Sequence, residues 1–159
     1  MTKTMLGEKI GVFVGTDHRG FKLAEELYLW LLGQHISVKN VGADSLDPND
    51  DYVDYAKEVA HTVVNDIKLG RISRGIVLCG SGVGVDIVAN KISGIRCGLG
   101  INPEQVKSAR EDDDINVLAL AADHTTEKQA KEMIKIFLET PFSGEERHKR
   151  RIDKIKQLE

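Results

Sequence analysis

Short apolar runs alternate with segments whose apolar residues recur at helical spacing, and this alternation limits the fold more than any other feature of the chain. Ile10-Gly11-Val12-Phe13-Val14 reads as a strand ending at Gly15. Phe21 to Leu32 reads as a helix, with Leu23, Leu27, Trp30 and Leu31 on one face and a stop at Gly33. Ile36 to Val41 is a second strand, and polar Asp44 to Asp51 a loop. Tyr55 to Leu69 is a helix, with Val59, Val63 and Ile67 aligned. Gly75-Ile76-Val77-Leu78 is apolar throughout, as a strand buried on both faces should be. Then come a short helix from Gly82 to Lys91 and strands at Ile95–Ile101 and Val117–Ala121. Helices are predicted at Pro103–Arg110, Thr126–Glu139 and Arg147–Leu158, the last one basic.

Units of this kind imply an α/β fold: a Rossmann-like, doubly wound, five-stranded parallel sheet with a C-terminal helical arm. A length of 159 residues suits a single domain spanning 1–159. Ligands of such sheets bind at the carboxyl ends of the strands, which gathers Thr16-Asp17-His18, Cys79 to Gly84 and Ala121 to His124. A formal net charge of -3 speaks against a nucleic-acid partner. No apolar run is long enough for a bilayer, so no membrane partner is expected. Met1 to Lys9 holds no signal-peptide core, and a cytoplasmic protein is expected. The two cysteines, Cys79 and Cys97, form neither a disulfide framework nor a zinc-ligand pair.

The chemistry concentrates in Cys79-Gly80-Ser81-Gly82-Val83-Gly84, directly between a strand and a helix. Glycines bring the backbone close to a ligand and aim N–H groups at an anion. A cysteine at a helix N-terminus is favoured as thiolate. One loop thereby offers a base and an oxyanion cradle. It also reads as a tight turn around a buried cysteine, but the order strand, Cys, Gly, Ser, Gly, helix favours the site. A dinucleotide fingerprint would need glycine at Val85, and Gly-Lys-Ser or Gly-Lys-Thr is absent. No arginine follows within Val83 to Ile87, as a cysteine phosphatase would need. Asp17 and His18 can exchange protons with sugar hydroxyls, or serve as a helix cap beside a surface histidine. Arg147 and Arg151, at i and i+4, suit a phosphate or form a solvated basic face.

Together these residues resemble the ribose-5-phosphate isomerase B family, which includes the galactose-6-phosphate isomerase subunits. The likeness runs through Gly15-Thr16-Asp17-His18-Arg19-Gly20, Asp51-Tyr52-Val53-Asp54-Tyr55 and Ile76 to Gly84. It continues in Ala89-Asn90-Lys91, Gly94-Ile95-Arg96 and Arg147-His148 with Arg151. The resemblance implies a sugar-phosphate substrate, no metal or cofactor, and a homodimer or dimer of dimers with sites at the subunit interface. It implies that Cys79 moves the proton through an enediol and that Ser81 helps proton movement between oxygens. Backbone N–H groups of Gly80, Gly82, Val83 and Gly84 would hold the enediolate. Asp17 and His18 would touch substrate, and Arg147 and Arg151 would bind phosphate from the neighbouring subunit.

Three positions depart from that pattern. Asp112-Asp113-Asp114 stands where the family usually has His-Asn-Asp, its ring-opening histidine and substrate-binding asparagine. Asp112 and Asp113 would inherit those places. Asp123 stands where the family usually has a phosphate-binding arginine. The default substrate pair is ribose 5-phosphate and ribulose 5-phosphate. The departures point toward a tetrose or hexose phosphate, with a substrate needing no ring opening handled best, or toward a non-catalytic sugar-phosphate-binding subunit.

Overall fold

Side-chain parity along the strands divides the core in two. The computed structural model describes residues 10–159; Met1 to Lys9, and the leader reading made there, lie outside the described residues. The strands are β1 (Ile10–Thr16), β2 (Ser37–Asn40), β3 (Ile72–Cys79), β4 (Cys97–Leu99) and β5 (Val117–Ala121). The helices are α1 (Phe21–Gly33), α2 (Tyr52–Lys68), α3 (Val83–Ala89), α4 (Pro103–Asp113), α5 (Glu127–Glu139) and α6 (Glu146–Lys156). Val12, Val14, Ile76, Leu78, Leu118 and Leu120 face α1, α4 and α5. Their alternates Val77, Cys79, Val117 and Ala119 face α2 and α3. That period of two in buried strands, with apolar residues at both parities, is what a sheet covered on both faces requires.

All pairings are parallel, in the order β2-β1-β3-β5-β4. The chain runs outward from β1 to β2 and then returns to the far side of β1 to form β3. A crevice therefore opens between the carboxyl ends of β1 and β3, where the covering helices diverge. Thr16 pairs with Leu78 there, and Cys79 with Ala121.

Some limits differ from expectation. The second helix starts at Tyr52, three residues early, because the Asp51 carboxylate caps it by accepting from Val53 N–H at 3.1 Å. The fourth strand shrinks to three residues. Ile95 N–H turns back to the Ile92 carbonyl, and Arg96 N–H donates to the Asn116 side chain. The helix expected to end at Arg110 runs on to Asp113, so Asp112 and Asp113 are helical rather than part of a loop. The terminal helix packs on α4 through buried His148 and Ile152. Among the described residues, no helix is long and apolar enough to cross a membrane.

Candidate active site

Cys79 is the last residue of β3, and its buried side chain lies on the face covered by α2 and α3. The following backbone turns sharply. Gly82 has φ 73°, and a Cβ there would meet the Leu99 side chain at 2.6 Å and the Ala121 nitrogen at 2.9 Å. Glycine is therefore required both by the left-handed conformation and by the close approach of β5. Ser81 is exposed, and its hydroxyl accepts from Val83 N–H at 3.3 Å. Gly84 lies under the Tyr52 ring, which a Cβ would touch at 2.7 Å.

Across the crevice, Asp17 is buried, and its Oδ1 accepts from Arg19 N–H at 3.0 Å and Gly20 N–H at 3.3 Å. It tightens the turn into α1; the helix cap itself is Gly20. The Asp50 carboxylate, from the loop before α2, holds His18 twice through Oδ1: 3.0 Å from the backbone nitrogen and 2.7 Å from ring Nδ1. Donor atoms of Asp17, His18 and Asp50 lie within 4.8 Å of one another, the one such group among the described residues. Their hydrogen bonds already engage one oxygen of each carboxylate and one ring nitrogen.

The third segment closes against the first two. Ala122 N–H donates to the Cys79 carbonyl at 2.9 Å, and Asp123 N–H to that of Gly80 at 3.0 Å. The Asp123 carboxylate pairs with the Arg19 guanidinium. A Cβ on Gly80 would sit 2.5 Å from Arg19 Nε and 2.8 Å from Asp123 Oδ2, so that pair lies directly over the loop.

The remaining expected residues gather elsewhere. Asp112 and Asp113 end α4, on the approach to the amino end of β5, whereas Cys79 stands level with the carboxyl end of that strand. From Asn116 to Ala121 a strand advances about 16 Å. The half-exposed Asp112 carboxylate faces Nε2 of buried His148 at 3.5 Å, and His148 Nδ1 meets Ser143 Oγ at 2.7 Å. Arg147 and Arg151 are exposed on α6, with Arg147 Nε donating to Glu145 at 2.7 Å. One chain thus separates the expected residues into two groups on opposite edges of its sheet.

A family model described as Ribose/Galactose Isomerase matches residues 12–155. The chain belongs to that family. The ribose-5-phosphate isomerase B of Escherichia coli strain K12 is 34% identical over 145 residues, covering 91% of this chain and 93% of that protein. The fold agrees closely with a Thermotoga maritima ribose 5-phosphate isomerase structure: TM-score 0.87, 35% identity, with 94% of this chain and 99% of that chain covered. A Mycoplasma genitalium ribose-5-phosphate isomerase B structure with bound ribulose-5-phosphate also gives a TM-score of 0.87 at 35% identity. It covers 94% of this chain and 95% of that one.

For a member of the ribose/galactose isomerase family, two features of the crevice went unread in the sequence. Asp50 looked like one more polar loop residue, although its position beside the α2 cap at Asp51 was a clue that it is fixed. Arg19 enters the sequence reading only as a member of the motif Gly15-Thr16-Asp17-His18-Arg19-Gly20, with no role of its own. The second cysteine, Cys97, is half-buried at the start of β4. Burial pushes the Cys97 thiol well above its ordinary value, and the Asp86 carboxylate pushes the same way.

Proposed function

We propose that this chain interconverts ribose 5-phosphate and ribulose 5-phosphate by proton transfer through an enediol, with Cys79 as the base. The observation that carries this is Cys79 at the carboxyl end of β3, whose neighbour in the sheet, β1, ends at Thr16 and leads directly into Asp17 and His18. The isomerase family supports it, as does the similarity to the ribulose-5-phosphate-bound relative.

The Cys79 thiolate takes the proton from C2 of the open aldose, leaving an enediolate. The thiol formed exchanges its proton with solvent and delivers a proton to C1, and C2 becomes the ketone. Aldose and ketose have the same overall oxidation state, so no electron carrier enters the balance. N–H groups along Gly80, Gly82 and Gly84 face the developing oxyanion, where preorganised donors contribute most, while Val83 N–H is given to Ser81 Oγ and would join them only on release. Ser81 shuttles the proton between the two oxygens, and Asp17 and His18 hold the sugar. Asp112 and Asp113, with the phosphate-binding Arg147 and Arg151, reach the site from a second copy of the chain, in a homodimer or a dimer of dimers. The separation of the two groups within one chain supports that arrangement. A second reading, a tetrose 4-phosphate substrate, is favoured by Asp112, a carboxylate paired with His148.

The test follows turnover of tetrose, pentose and hexose phosphates by NMR in deuterium oxide. Ribose 5-phosphate should be the best substrate, with solvent deuterium appearing at C1 of the ketose. Cys79→Ala should abolish turnover while binding of the sugar phosphate persists. Appreciable turnover by Cys79→Ala would assign the base elsewhere, with Asp17 the first group to examine. A tetrose 4-phosphate turned over far better than ribose 5-phosphate would establish the second reading.

A further inference from the structure

We propose that Asp50 is a positioning residue that makes His18 the acid–base group opening the sugar ring. The proposal rests on the isomerase reading above and assigns a step that the enediol chemistry does not include.

Ribose 5-phosphate is mainly a closed ring, and a proton can be taken from C2 only once C1 is a free aldehyde. At the carboxyl edge of the sheet one imidazole is built for that step. Asp50 Oδ1 accepts from both the backbone nitrogen and ring Nδ1 of His18, at 3.0 Å and 2.7 Å. The two bonds from one oxygen fix the ring plane and place the proton on Nδ1, so the nitrogen offered to substrate is Nε2. The Asp50 side chain is 4% exposed, while that of His18 is 31% exposed, as a buried orienting group and a substrate-facing ring should be. Asp50 Oδ2 is buried without a hydrogen-bond partner, so the hydrogen bonds this carboxylate accepts both come to Oδ1, from the His18 backbone and ring. A carboxylate–imidazole pair of this geometry selects the tautomer and stabilises the cation formed when the ring accepts a proton.

The step balances without a co-reactant. Nε2 takes the proton of the anomeric hydroxyl, and that oxygen's electron pair forms C1=O. The bond from C1 to the ring oxygen breaks, its pair staying on the oxygen. The ring oxygen then takes the proton from Nε2, which restores neutral His18. Asp112 is not required for any part of this.

The test compares His18→Ala and Asp50→Asn with the unaltered protein on ribose 5-phosphate and on a tetrose 4-phosphate, which cannot close a five-membered ring. Both variants should lower kcat for ribose 5-phosphate by about a hundredfold, in the range of acid–base contributions. Turnover of the tetrose should fall by less than about a tenth of that factor. Added imidazole should restore ribose 5-phosphate turnover to His18→Ala. Nitrogen-15 NMR should show the Nδ1–H form of His18 in the unaltered protein and its loss in Asp50→Asn. Equal losses on both sugars, a change confined to KM, or no rescue by imidazole would overturn the assignment while leaving the isomerase reading in place. An unaltered protein inactive on ribose 5-phosphate would overturn both.

Discussion

Arg19 and Asp123 form an ion pair over Gly80, and in the proposed reading that pair offsets a carboxylate placed beside the substrate phosphate. A lone carboxylate over Gly80 would repel a substrate phosphate. The Arg19 guanidinium pairs with it and lies over the same loop. Arg19→Ala should therefore raise KM for the sugar phosphate by about fivefold, on the order of 1 kcal/mol for a partly exposed pair. Removing Asp123 as well should recover most of the loss. Measuring KM for the two single variants and the double variant gives the coupling directly. Additive effects would mean that the pair is only a surface contact. Neither Arg19 nor Asp50 could be read from the sequence, because their partners lie 104 and 32 positions away. Cys79 and the glycines were legible because strand, turn and helix follow one another without a gap.

At the level of elements, the strand and helix periods were plain, but the position of β5 between β3 and β4 was not. Buried parallel strands are alike in composition, and nothing local to a strand names its neighbour. The end of α4 was also misjudged, since its acidic run resembles a solvated turn. Its stability comes from Arg110, which is 2% exposed. That guanidinium donates to the Thr140 carbonyl at 3.0 Å, to Asp114 Oδ1 at 2.7 Å and to the Ile115 carbonyl at 2.6 Å. Asp114 takes the left-handed conformation that ends the helix, and Arg96 holds its other carboxylate oxygen at 3.0 Å. Nearby Arg74 is pushed down to about 10, by burial first and then by the charge of Arg110. The Arg110→Ala variant should lose about 3–5 kcal/mol, because it strands buried acceptors and half of the Asp114 pair. Thermal unfolding should move down by on the order of 10 °C. A shift of only a degree or two would show that Arg96 holds this helix end alone.

The whole molecule has its expected site residues on two edges, and this makes a demand on assembly that mixing can test. Combining Cys79→Ala chains with Arg151→Ala chains should restore activity to two individually impaired preparations. In a mixed dimer one site would carry both substitutions and the other neither, so about half of the sites would be complete in that proposed arrangement. Mass spectrometry would prove that exchange took place. No recovery after proven exchange would mean that each site is built from one chain. The manner of association is narrowed by the outer edge of β4. There the Asn90 side chain donates to the Cys97 carbonyl at 3.0 Å and accepts from its N–H at 2.8 Å. An amide has taken both hydrogen-bonding groups that Cys97 would offer an incoming strand. At the other border, β2 has only four residues, with Lys39 among them. Both borders are thus poor templates for uncontrolled β-stacking. Sheet margins of this kind turn copies that meet away from strand-to-strand pairing and toward contact through helices and loops.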